Sequence, residues 1–193
     1  MSTVAALYVQ KNGVYFGLDG VDPWDEERNA LTYDGPFPVV AHPPCSRWCR
    51  LAGLVEKRWG HKKGDDGGTF AHALHCVRTF GGVLEHPGGS DAWGAYRLPV
   101  PMKGGGWVQG LCGGWSCEVY QSSYGHPARK RTWLYAFGVQ LPELKWEAAE
   151  ATAIVGWCAN NQARDLPRLS KKAGSATPVE FRDTLLEMAR SAG

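Results

Sequence analysis

The feature that most constrains this chain is a strand, helix, strand succession in its first half. Pro38-Val39-Val40-Ala41 is a short apolar run ending at His42-Pro43-Pro44-Cys45, which predicts a buried strand delivering a rigid loop. Phe70, Ala73, Leu74, Val77 and Phe80 recur at helical spacing and stop at Gly81-Gly82, which predicts an amphipathic helix over 67–80. Gly82-Val83-Leu84-Glu85 then forms a second short strand, closed by the breaker His86-Pro87-Gly88-Gly89. Strands joined in this order give the α/β class, whose ligands bind outside the carboxyl ends of the strands. Cys45 and Glu85 fall at two such ends.

The remaining segments fit around that unit. Residues 4–9 predict a strand, 13–20 a loop rich in glycine and aromatics, and 23–30 a short exposed helix. Residues 104–114 form a glycine-rich loop, and 115–121 and 132–137 two further strands with a basic cluster between them. Residues 143–172 show no clear period, and 178–189 predict a final helix with Thr177 as N-cap and Pro178 at its first position. No repeat and no linker composition divides the chain, so a single domain over residues 1–193 is expected.

Composition narrows the function classes. A chain of 193 residues with 44% hydrophobic content can bury an ordinary core, and a net charge of +2 provides no general cationic field. Any polyanionic partner must therefore be met at a local patch. The six cysteines come with no signal-like segment and no long apolar run, so the thiols are read as reduced, the protein as cytoplasmic and membrane association as absent. Cys45-x3-Cys49 and Cys112-x4-Cys117 lack the common zinc spacing and have no adjoining histidine pair, so no metal site is assigned. Nine tryptophans and 25 glycines suit loops that bend around a flat ligand, although tryptophan also fills cores.

Three segments carry candidate chemistry. In Pro43-Pro44-Cys45-Ser46-Arg47-Trp48 the thiol sits at a strand end, where a cation such as Arg47 or Arg50 would favour the nucleophilic thiolate; alternatively the cysteine only packs. Glu85 could hold the amide-like edge of a base and pass a proton to its N3, or be a solvated turn glutamate. Arg129-Lys130-Arg131 could fix phosphate oxygens or a base O2, or be a solvated charge run.

In their order these segments resemble the cytosine-C5 DNA methyltransferases. Pro44-Cys45 matches that family's Pro-Cys loop, and Ser46-x-Trp48-Cys49-x-x-Ala52-Gly53 approximates its continuation. Leu84-Glu85-His86-Pro87 is similar to the Glu-Asn-Val motif, and the run from Tyr124 to Arg131 to the Gln-x-Arg-x-Arg motif with its preceding Gly-x-Pro. Ala173-Gly174-Ser175-Ala176-Thr177-Pro178 is similar to the terminal Gly-Asn-x-x-Pro motif. The resemblance covers roughly half the chain. Ser46 stands where the family has glutamine, His86 where it has asparagine, and the arginine cluster is offset by one residue.

The resemblance implies a single-domain, Rossmann-like methyltransferase-type sheet. In it Cys45 adds to C6 of a pyrimidine, Glu85 holds or protonates N3, and Arg129 and Arg131 steady the adduct. Pro44, Ser46, His86 and Lys130 would line the base. An S-adenosylmethionine site would draw on Phe16, Asp19 and Ser175, with Asp22 as a substitute carboxylate. However, Phe16-Gly17-Leu18-Asp19-Gly20 misplaces the family's glycines and the span to Val39 is too short for two strand-helix units, so a truncated N-terminal cofactor half is expected. The short span from Arg131 to Ala173 leaves no room for a large target-recognition domain, so specificity would be weak or supplied by a protein partner.

The leading expectation is a DNA pyrimidine-modifying transferase acting at C5 or its substituent through a Cys45–C6 adduct, in a bacteriophage hypermodification pathway within a bacterial host, without adenosylmethionine. Adenosylmethionine-dependent C5 methylation is the alternative, and a non-catalytic DNA or nucleotide binder is the reading from another class. The DNA would be single-stranded or present a flipped-out base.

Overall fold

The computed structural model describes residues 2–49, 52–155 and 165–193. In chain order its elements are β1 (Val4–Leu7), β2 (Val21–Trp24), β3 (Val39–Ala41), α1 (Ala52–Trp59), α2 (Thr69–Phe80), β4 (Gly82–Pro87), α3 (Asp91–Ala95), β5 (Val108–Gln109), β6 (Trp115–Tyr120), β7 (Arg131–Phe137), α4 (Lys171–Ser175) and α5 (Val179–Arg190). The strands form one seven-stranded mixed sheet in the order β2-β1-β3-β4-β7-β6-β5. β2, β1, β3 and β4 are parallel, and β7, β6 and β5 continue the sheet in antiparallel pairs. No helix among the described residues is long and apolar enough to cross a membrane.

The α/β expectation holds. β3, α1, α2 and β4 form the parallel crossover, and Gly82 shows why its last strand starts on glycine: at φ 136°, a Cβ there would lie 1.9 Å from the Val39 carbonyl. Alternation along β4 sorts side chains between two layers. Leu84 and His86 face α2 and α3, against Phe70, Ala73, Val77 and Trp93, whereas Val83 and Glu85 face α5, whose Phe181, Leu185 and Leu186 cover that side.

Some boundaries differ from the sequence reading. Residues 23–30 are not a helix: Val21–Trp24 is an edge strand, followed by a turn and a short 3-10 segment at Ala30–Thr32. The β1–β2 connection is built of turns and contains no helix. At the other end, extended Pro178 caps α5 without a side-chain bond, so Thr177 does not cap it. The helices α1 and α3 and the two-residue strand β5 carry no periodic signal long enough to foresee.

Candidate active site

The chain leaves β3 at His42 and turns back through Pro43 and Pro44 into the Cys45 turn. There the Trp48 and Cys49 amides bond the Cys45 carbonyl, at 3.0 Å each. Asp66 anchors this turn to the start of α2, accepting from Trp48 Nε1 at 2.8 Å and from the Phe70 amide at 2.9 Å. β4, adjacent to β3, brings Glu85 to the same end of the sheet.

On the α5 face a directed network converges on Glu85. Its Oε2 accepts from His42 Nδ1 at 3.0 Å, and its Oε1 from Gln121 Nε2 at 3.0 Å. With His42 donating through Nδ1, its Nε2 accepts from the Tyr15 hydroxyl at 2.8 Å. Gln121 also donates to Thr132 Oγ1 at 3.0 Å. The 121–130 loop closes on itself, with the Gln121 amide on the Lys130 carbonyl at 3.1 Å, which sets Lys130 beside Gln121. Lys130, at φ 24°, donates to the carbonyls of Ser175 (3.4 Å) and Ala176 (3.1 Å). Burial lowers its ammonium below the usual lysine range, against the pull of the nearby Glu85 and Cys45.

These contacts decide charge. Burial alone would raise Glu85, but the His42 hydrogen bond, then the Lys130 charge, outweigh it and hold the carboxyl at about 2. The resting group is thus an ionised acceptor. Burial, then Glu85 and Cys49, push the Cys45 thiol above its ordinary value, while Lys130 pulls it down. The cation that tunes the thiol is therefore Lys130 rather than Arg47; Arg50 lies outside the described residues.

The sequence-derived site residues separate into two groups. Cys45, Glu85 and Lys130 come together. Arg131 does not meet Glu85: its Nε and Nη2 meet Glu118 Oε2 at 2.7 and 2.6 Å, on the α2 face. Exposed Arg129 lies over the Tyr120 ring, 4.6 Å from its centroid. Strand alternation sends Arg131 to the opposite face from Glu85, where its side chain packs against Gly88 and Gly89 of the cavity that Cys45 also lines. Pro44 and Ser46 are exposed beside Cys45. His86 is 1% exposed and wedged between Phe70 and Trp93; among the described residues neither ring nitrogen makes a hydrogen bond of good geometry, although the Pro44 backbone acts on the ring. Burial pushes it down to about 4, with the Glu85 charge opposing. It lines an open cavity of about 240 Å³ with Cys45, Trp48, Gly88, Gly89 and Ser90.

Phe16, Asp19 and Ser175 do not form one adenosylmethionine site. Asp19 is exposed at the amino end of the sheet, beside Gly20, whose carbonyl accepts from the first residue of β1. Phe16 packs against the α5-side core, and Ser175 lies by Lys130 at the carboxyl end. Asp22 is engaged by Arg28 and by Trp24 Nε1. Among the described residues no group of three or more His, Cys, Asp or Glu side chains is arranged to hold a metal.

Sequence reasoning assigned no role to Tyr15, His42, Gln121 or Thr132. His42 carried a signal, a titratable side chain directly after the last position of a parallel strand; the other three are brought in by long-range topology alone. Comparison of the chain with protein-family models, curated proteins and solved structures finds no match.

Proposed function

We propose that this chain is a DNA pyrimidine-modifying transferase that works through a covalent adduct between Cys45 and C6 of the base. One observation carries the reading: a cysteine thiol, a carboxylate hydrogen-bonded by His42 and Gln121 and a half-buried lysine meet at the carboxyl ends of a parallel sheet. The strand order supports it. β1 is flanked by β2 on one side and β3 on the other, and such a reversal is where Rossmann-like sheets bind ligands.

In this mechanism Lys130 favours the thiolate. As sulfur bonds to C6, the electrons of the C5–C6 double bond move toward C5 and the C4 substituent. Glu85 receives an N–H of the base edge and keeps the ring oriented. On a base carrying an activated 5-hydroxymethyl group, those electrons expel the leaving group and form an exocyclic methylene. An amine or similar nucleophile adds to that carbon and loses its proton, and the returning electrons release Cys45 as thiolate. Nothing in this sequence draws on adenosylmethionine.

The first half of the cycle is testable without the donor. In D2O, addition of Cys45 to an unsubstituted uracil or cytosine, deuteration at C5 and elimination exchange the C5 hydrogen. Oligodeoxynucleotides carrying either base gain one deuterium per turnover, detected by nucleoside mass spectrometry, and Cys45→Ser abolishes the gain. Equal exchange by wild type and Cys45→Ser, or none by either, removes the proposal.

A further inference from the structure

Among the described residues α1 packs little of its surface against the rest of the chain. Of its described side chains only Ala52 is buried, while Leu54 is 63% and Trp59 59% exposed. Helices this short are marginal in water, so α1 needs a surface to complete it. Its own chemistry indicates which. Lys57, Arg58, Lys62 and Lys63 crowd the exposed segment around Trp59, with Glu56 as its single acid between Ala52 and Lys63. The Arg58 guanidinium lies 5.0 Å from the Trp59 ring centroid, leaving the other face of the indole open. Lys63 is paired with Asp91 at 2.8 Å, and among the described residues no ion pair engages Lys57, Arg58 or Lys62. Asp66 is turned to the Trp48 indole and the Phe70 amide, so these three cations share the exposed segment with the carboxylates of Glu56 and Asp65 and outnumber them.

The segment is tied to the reactive cysteine. The Gly64 amide bonds the Arg47 carbonyl at 3.0 Å, so the basic turn after α1 returns onto the Cys45 turn, and Asp91, partner of Lys63, donates its amide to the Trp48 carbonyl at 3.0 Å.

We propose that α1 and the following turn form a platform for single-stranded nucleic acid, with Lys57, Arg58 and Lys62 on consecutive phosphates and Trp59 stacked on a base flanking the one at Cys45. A single strand is specified because an exposed indole needs an unstacked base face, which a duplex does not present. The proposal extends the functional reading from base to strand, and binding is measured separately from chemistry.

The test is fluorescence anisotropy with a labelled oligothymidine of about 15 nucleotides, at several salt concentrations, with Cys45→Ser as background so that no adduct forms. Trp59→Ala weakens binding roughly tenfold and Trp59→Phe restores most of it. Lys57→Ala and Lys62→Ala each flatten the dependence of log affinity on log salt by about 0.7, the value per phosphate on a single strand. Lys11→Ala, whose ammonium already pairs with Glu27, changes neither quantity. Unchanged affinity and slope in the α1 variants overturn the proposal. So does equal affinity for a hairpin duplex, or light scattering that shows Trp59 buried in a dimer lost on Trp59→Ala. If the α1 variants lose binding while the Cys45 protein exchanges no hydrogen, the platform stands and the chemistry falls.

Discussion

Two buried glutamates flank β7, and they are held in opposite ways. Glu118, on β6 and 2% exposed, faces α2 and is met by the Arg131 guanidinium, by Trp133 Nε1 at 2.7 Å and by the Tyr120 hydroxyl at 3.1 Å. Burial works against its ionisation, but the Arg131 and Trp133 bonds keep it below the ordinary carboxylate range. Glu85, on β4, faces α5 and accepts from His42 and Gln121, with the Lys130 ammonium near but bonded to backbone carbonyls. Glu118 is closed by a guanidinium bonded directly to it. Glu85 has no guanidinium on it among the described residues, and a lysine and a thiol act on it through space.

The largest expected effect separates the two by chemistry. Glu85→Gln lowers C5 hydrogen exchange about a hundredfold or more, while Glu118→Gln leaves the rate of the folded fraction near wild type. Exchange rates normalised to folded protein check this, and the reverse ranking would make Glu118 the working carboxylate.

The next effect separates the faces by acid sensitivity. His86 shares the Glu118 face, and its folded value of about 4 lies below the ordinary 6.5. Its neutral burial is therefore fully tolerated above pH 6.5, and stability falls as pH drops toward 4, by about 3 kcal/mol across that window. Glu85 acts lower: its contribution is complete above the ordinary 4.5 and is lost as pH falls through about 2. Urea titrations from neutral pH down to pH 4 should show the upper window, and His86→Leu should erase it. Persistence of the full loss in that variant would assign the window elsewhere.

A smaller change concerns Arg131. Its removal leaves Glu118 buried with only neutral donors, so Arg131→Ala costs about 2 kcal/mol of unfolding free energy and leaves the salt dependence of oligonucleotide binding unaltered. A flatter salt slope with unchanged stability would return Arg131 to phosphate contact. The smallest effect is on the thiol. Lys130→Met removes a cation that lowers Cys45, so alkylation at about pH 8 slows several-fold. An unchanged rate would show that Lys130 serves only the Ser175 and Ala176 carbonyls.

The sequence exposed what depends on local pattern. The apolar runs before Cys45 and Glu85, and the helical spacing from Phe70 to Phe80, locate β3, α2 and β4 correctly. β2 was hidden by Asp22 and Pro23, which suit an edge strand but contradict a central one. The basic triplet looked like one cationic unit because a linear reading does not see strand alternation. In the sheet Arg131 belongs to Glu118 and Lys130 to the Glu85 side. Glu118, a lone carboxylate inside an otherwise apolar strand, was the available hint that one arginine would be consumed. Tyr15 and Gln121 reach Glu85 through contacts that no local period encodes.

The two covers of the sheet also differ in how far along the chain they come from. α2 lies within the crossover from β3 to β4, so the face with His86 closes over neighbouring sequence. α5 reaches β1, β3 and β4 only after the whole antiparallel half has been laid down. Loop-closure entropy makes such distant docking the slower event. The face that holds Glu85 is therefore the last to be shielded from water, and assembly of its hydrogen-bond network reports the completion of folding.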